Sequence, residues 1–100
     1  IFSKGVNMTS LEVKIYDFCN ERYPRDLPGR LRKLGEEFGE LAEAIARGQR
    51  KEIIEEAGDC GIILSDICAL MDASLVAAMD TKLWLKRSLE EREGGNHETS

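Results

Sequence analysis

Between residues 31 and 71 the apolar side chains recur three and four apart, a rhythm that leaves little room for anything but paired amphipathic helices. Leu31, Leu34, Phe38, Leu41 and Ile45 form one stripe on a helix over about residues 30–47, and Gly48 in "ARGQR" is placed to stop it. A second segment, about residues 51–71, carries Ile53, Ala57, Cys60, Leu64, Ile67 and Met71 in register, with Ile63 and Leu70 beside them. The short "RGQRK" turn folds the two into an antiparallel hairpin. A helix apolar on so many sides needs cover from other helices or from a partner subunit. Gly58 and Gly61 each weaken its interior by about 1 kcal/mol, a cost expected to be offset by close approach of another backbone.

Shorter helices flank this hairpin. Thr9 or Ser10 is suited to cap a first helix bearing Leu11, Ile15 and Phe18. It ends before "RYPRDLPGR", where Pro24, Pro28 and Gly29 predict a loop. Asp72 or Ser74 is placed to cap a fourth helix through Leu75, Val76, Met79 and Leu83 to about Leu89. No strand pattern or repeat appears, so the expected class is all-α, a four-helix bundle. Residues 9–90 are expected to form one helical domain. Residues 1–8 read as a remnant or flexible N-terminus, with Met8 a candidate natural start, and 91–100 as a tail.

The acidic residues are harder to reconcile with helix packing. Glu36, Glu37 and Glu40 lie beside the first stripe, and Glu56 and Asp59 lie in the most apolar helix. Like charges three or four apart repel by a few tenths of a kcal/mol, and desolvation near a core adds to the cost. At roughly 100° per residue Glu37 sits about 85° from the stripe centre, at its flank. In an antiparallel hairpin the pairs Glu37/Glu40 and Glu56/Asp59 face one another across the gap. Carboxylates without His or Cys make a hard, all-oxygen site suited to Mg²⁺, or Mn²⁺ in its place. A di-iron centre would want Glu-x-x-His pairs, and His97 lies far off in a polar tail.

Other totals narrow the function. A net charge of −5 opposes general binding to nucleic-acid polymers or anionic membranes. The apolar run within Cys60–Met71 is interrupted by Ser65 and Asp66 and is too short for a bilayer span. Cys19, Cys60 and Cys68 form no CxxC pair and read as reduced thiols, which with no secretory signal makes a cytoplasmic location the expectation. Lys82, Lys86 and Arg87 fall mid-way along the fourth helix, and Arg22, Arg25, Arg30, Arg32 and Lys33 gather about the proline loop. Beside an acidic metal site, such groups suit a polyphosphate held by cations from both sides.

The segments "EEFGELAEAI", "EIIEEAGDCGIILSDI" and "MDTKLWLKR", spanning about residues 30–88, resemble the MazG-like all-α nucleoside triphosphate pyrophosphohydrolases. Their signature is EExxE followed, after a gap, by ExxD. The resemblance implies Mg²⁺ ligation by Glu37, Glu40, Glu56 and Asp59, with Glu36 as an accessory acid or water-orienting base. It implies phosphate contacts by Lys82 and Arg87, whereas Lys86 stands where members usually carry asparagine. Lys86, Arg30 and Lys33 are further candidates for substrate contact. Phe38 and Trp84 are candidate base platforms, as are Phe18 and Tyr23, although all four also read as core residues. The implied reaction cleaves the α–β bond of a (d)NTP to (d)NMP and pyrophosphate, in nucleotide-pool house-cleaning. The implied assembly is a homodimer or dimer of dimers. The alternatives left open are a phosphoribosyl-ATP pyrophosphohydrolase and a non-catalytic helical interaction module with a structural cation site.

Overall fold

A computed structural model describes residues 7–93 of the chain. It contains α1 (Ser10–Arg22), α2 (Leu27–Arg47), α3 (Arg50–Leu70) and α4 (Leu75–Arg92), with no strand among the described residues. The expected all-α class and the α2–α3 hairpin are both borne out. Most of the expected N-terminal remnant and the tail with His97 lie outside the described residues.

Local chemistry sets the boundaries. Thr9 caps α1 in a capping box, in which the Glu12 backbone N–H donates to Thr9 Oγ1 at 3.1 Å while the Thr9 N–H donates to Glu12 Oε1 at 2.9 Å. Helix α2 starts earlier than the loop expectation allowed, because Asp26 caps it by accepting from the Gly29 N–H at 2.6 Å. Pro28 then falls in the first turn, where its missing N–H would have had no partner. Gly48 ends α2 in the left-handed region, φ 74°, and donates to the Ala44 and Ile45 carbonyls. Of the two candidate caps for α4, Ser74 serves, its hydroxyl accepting from the Ala77 N–H. Asp72 instead takes the left-handed position of the turn, φ 58°.

The other three helices converge on α3. Helix α2 packs along it most extensively, α1 lies against it as well, and α4 meets only its end, the two axes turning through 94° at the break. Two polar anchors secure this arrangement, and neither was evident in the sequence pattern. Asp66, fully buried on α3, accepts two 2.8 Å hydrogen bonds from Arg25 in the α1–α2 loop. Glu12, 3% exposed, accepts from the Ser74 hydroxyl at 2.9 and 3.0 Å and from the Val76 N–H at 3.1 Å, so α1 holds the first turn of α4.

The apolar stripes are less covered than their pattern implied. Among the described residues the buried apolar ones are few and mostly small: Cys19, Ala44, Cys60, Ile63 and Ala69. Leu31, Phe38 and Ile45 of α2 are more than half exposed, as are Met79, Leu83 and Trp84 of α4. The reading of Phe18, Phe38 and Trp84 as core is therefore corrected, since Arg30, Leu34, Glu37, Leu41 and Ala44, not the stripe centre, follow the α3 side of α2. The close backbone approach expected at Gly58 and Gly61 is also absent, a Cβ at either position meeting nothing within 4 Å. These glycines instead line an open groove of about 440 Å³ between α1, α3 and the start of α4.

Burial alone would raise the Glu12 pKa, but the hydrogen bonds from Thr9, Val76 and Ser74 outweigh it and hold the carboxyl below its ordinary 4.5. A depressed folded pKa contributes stability above the ordinary value, lost as pH falls through the folded value. Glu12→Gln is therefore expected to cost about 2 kcal/mol at neutral pH. The gap from wild type should close below pH 4.5, which urea unfolding at a series of pH values would measure.

Candidate metal and nucleotide site

The two-residue connection between α2 and α3 aligns their carboxylates across the seam. Glu37, Glu56 and Asp59 each offer an oxygen, all within 4.8 Å of one another. Glu40, more exposed, is close enough that its charge adds to the burial of Glu56 in raising the Glu56 pKa. The expected facing of the two acidic pairs is thus realised within one chain. Glu37 lies deeper than its position at the stripe's flank implied, its side chain 13% exposed, because the seam runs along that flank.

Oxygen chemistry dominates the cluster. Glu37 Oε1 and Glu56 Oε1 are both buried and accept no hydrogen bond from the described residues. Unpartnered buried carboxylate oxygens are costly, and a divalent cation is the partner that would satisfy both at once. Desolvation first, then the charges of Glu40 and Asp59, push the Glu56 pKa upward. Burial and then the neighbouring Glu37, Asp59 and Glu56 likewise raise the Cys60 thiol above its ordinary 9.0, so it stays protonated at neutral pH. No thiolate competes, and the donor set remains hard. The residues fit Mg²⁺ or Mn²⁺ better than a soft metal.

The remaining candidate residues fall into two groups. Around the cluster, Lys33 Nζ lies 3.2 Å from Glu37 and 3.6 Å from the exposed Glu36. Arg30, only 2% exposed, stacks over Tyr23 at 4.4 Å with its Nε and Nη1 unpartnered. Phe38 follows Glu37 and borders a groove of about 470 Å³ with Leu31, Leu34, Leu41, Cys60 and Leu64. Far from the cluster, α4 carries Lys82, Trp84, Lys86 and Arg87, all exposed. Lys82 and Lys86 border a second apolar groove with Leu75, Ala78, Met79 and Leu83. Following the two axes through their 94° turn separates Lys82 from Glu56 by about 25 Å, at 1.5 Å per helical residue.

A family model, the MazG nucleotide pyrophosphohydrolase domain, matches residues 29–82. The chain belongs to the MazG nucleotide pyrophosphohydrolase family. The matched span takes in every residue of the cluster, and the MazG family is generally dependent on divalent metal, in accord with the donor set. Comparisons with curated proteins and with solved structures each return no match.

Without metal, the MazG cluster is expected to be a source of strain. Glu56→Gln should raise the melting temperature of the protein in EDTA by relieving repulsion, and should remove the upward shift that Mg²⁺ gives the wild type. Thermal melts with and without Mg²⁺ check both signs.

Proposed function

We propose that this chain is an Mg²⁺-dependent nucleoside triphosphate pyrophosphohydrolase that cleaves the α–β bond of (d)NTPs, giving (d)NMP and pyrophosphate, and that it serves nucleotide-pool house-cleaning. The observation that carries the reading is the pair of buried, unpartnered oxygens of Glu37 and Glu56 inside an all-oxygen cluster, at the centre of the span matching the MazG domain. Glu37, Glu40, Glu56 and Asp59 would hold the cation, with Mn²⁺ a workable substitute. When bound, the cation neutralises triphosphate charge and makes a nearby water more acidic. Glu36, exposed at the rim beside Glu37, is suited to orient that water and accept its proton. Lys82 and Arg87 would hold phosphate oxygens in line for the displacement. Lys86 adds a second ammonium where members usually carry asparagine. Arg30 and Lys33 add positive charge from the start of α2, and the exposed rings of Phe38 and Trp84 offer stacking surfaces for the base.

In this reading the phosphate-holding residues reach the cluster from a second copy. Their own chain carries them about 25 Å or more away (from helical rise and the 94° turn). The α4 groove is an apolar face bordered by Lys82 and Lys86, and the α2 stripe is an apolar face beside the acidic cluster. Pairing the two would cover both and bring opposite charges together. The expected assembly is a homodimer or a dimer of dimers. Light scattering at micromolar concentration should give at least a dimer, and Leu83→Asp should give a monomer without activity. A wild-type monomer would remove this part of the reading.

The deciding assay is pyrophosphate release from a panel of standard and modified dNTPs and NTPs, with phosphoribosyl-ATP included, in Mg²⁺ and in EDTA. Release should require Mg²⁺ and fall by about a hundredfold or more in Glu37→Gln and Asp59→Asn, as misplacing the reacting groups demands. No release from any member of the panel would sink the enzymatic reading.

A further inference from the structure

Among the described residues, one basic side chain is in ion-pair contact with the carboxylate cluster. Lys33 sits one helical turn before Glu37 and reaches Glu37 Oε2 at 3.2 Å and Glu36 Oε1 at 3.6 Å. A lysine N-terminal to its glutamate is the weaker orientation of an i,i+4 pair, so helix geometry alone gives little reason for the contact. The surrounding charge gives a better one. Glu36, Glu37, Glu40, Glu56 and Asp59 crowd the seam, and the ammonium neutralises part of that field. Lys33 is 30% exposed whereas Glu37 is 13% exposed, so the ammonium approaches the cluster from its open side. The same ammonium stands 5.8 Å from the Tyr23 ring, whose face also receives Arg30 at 4.4 Å. Lys33 is thus paired with the carboxylates while its ammonium also borders an aromatic ring at the cluster's edge.

We propose that Lys33 is an exchangeable counter-charge for the cluster: it pairs with Glu37 when no divalent cation is bound, and turns to the substrate's phosphates when one is. The inference rests on the reading of the cluster as a divalent-cation site. Its physical basis is a conflict of charge. Lys33 holds Glu37 Oε2, so a dication that takes the free Glu37 Oε1 meets the repulsion of an ammonium on the same carboxylate at short range. Once displaced, an ammonium at the open edge of an acidic site lies where a polyphosphate would arrive. Lysine suits this role better than arginine because it is a point charge on a flexible stem, not a planar fork fixed to one partner. Metal occupancy and anion affinity are then linked through one side chain, and the empty site is protected from its own repulsion.

The consequence is that Lys33 opposes one ligand and assists the other. Two titrations test it, on the full chain and with no nucleotide present: Mn²⁺ alone, followed by calorimetry, and inorganic tripolyphosphate added at saturating Mg²⁺. Lys33→Met is expected to bind Mn²⁺ about tenfold more tightly than wild type, since a nearby positive charge has gone. It is expected to bind tripolyphosphate about tenfold more weakly, since a charge-assisted contact has gone. Lys33→Arg keeps the charge and should stay near wild type for Mn²⁺, and Glu56→Gln should lose Mn²⁺ binding. Circular dichroism of each variant confirms that the helices are retained. Unchanged Mn²⁺ affinity in Lys33→Met, with binding lost in Glu56→Gln, overturns the exchange and leaves the cation site standing. Tighter Mn²⁺ with undiminished tripolyphosphate affinity overturns it as well, reducing Lys33 to a static neighbour. Failure of wild type to bind Mn²⁺ overturns the cation reading and this inference together.

Discussion

Like charges brought together across the α2–α3 seam are the constraint around which the rest of the chain is arranged. Gly48 reverses the backbone in a left-handed turn, and α3 returns with Glu56 and Asp59 opposite Glu37 and Glu40. Helix pairs normally place apolar side chains in such a seam. Here two carboxylate oxygens lie in it without a partner. The hairpin therefore holds together in spite of its middle, through the packing of Leu41, Ala44, Cys60 and Ile63 and through the charge that Lys33 brings to the edge. Under the proposed cation reading, that electrostatic cost is a form of preorganisation, since the donors are already assembled and partly desolvated.

The anchors at the other end of the molecule answer the same problem. The middle of the hairpin contributes little net attraction, so positioning falls to groups that pair fully. Arg25 gives both of its terminal nitrogens to Asp66, and Glu12 accepts from Thr9, Ser74 and Val76. Each ties together elements far apart in sequence, and each places a charge where solvent barely reaches. Satisfied buried charges of this kind fix geometry more than they add stability. Where the buried apolar side chains among the described residues are few and mostly small, fixed geometry is the scarcer resource.

Much of this was legible in the residues, and the limits of legibility have physical causes. The three-and-four spacing from Leu31 to Met71 marked both long helices and their hairpin, because local periodicity reports one helix face directly. The carboxylate pairs were legible because ExxE and ExxD put both acids on one side of a helix. Three features were not. Pro28 and Gly29 looked like loop residues, yet the first turn of a helix tolerates proline once Asp26 supplies the cap. The Asp66–Arg25 and Glu12–Ser74 contacts join residues 41 and 62 positions apart, and no local pattern records such pairs. The apolar stripe of α2 was visible but its partner was not, since periodicity says that a face wants cover and not which molecule provides it. The exposure of Phe38, 64%, is the outcome.

The 94° turn into α4 makes that helix a lever whose fulcrum is Ser74. Arg87 stands thirteen residues beyond it, about 20 Å along the axis. At that length an angular error of about 5° at the fulcrum becomes a displacement of nearly 2 Å at the guanidinium, by simple proportion on the helical rise. Glu12 grips the short end, through the Ser74 hydroxyl and the Val76 N–H. A carboxylate on α1 thus sets the aim of side chains on the far arm, and small changes in how α1 seats on α3 are magnified before they arrive there.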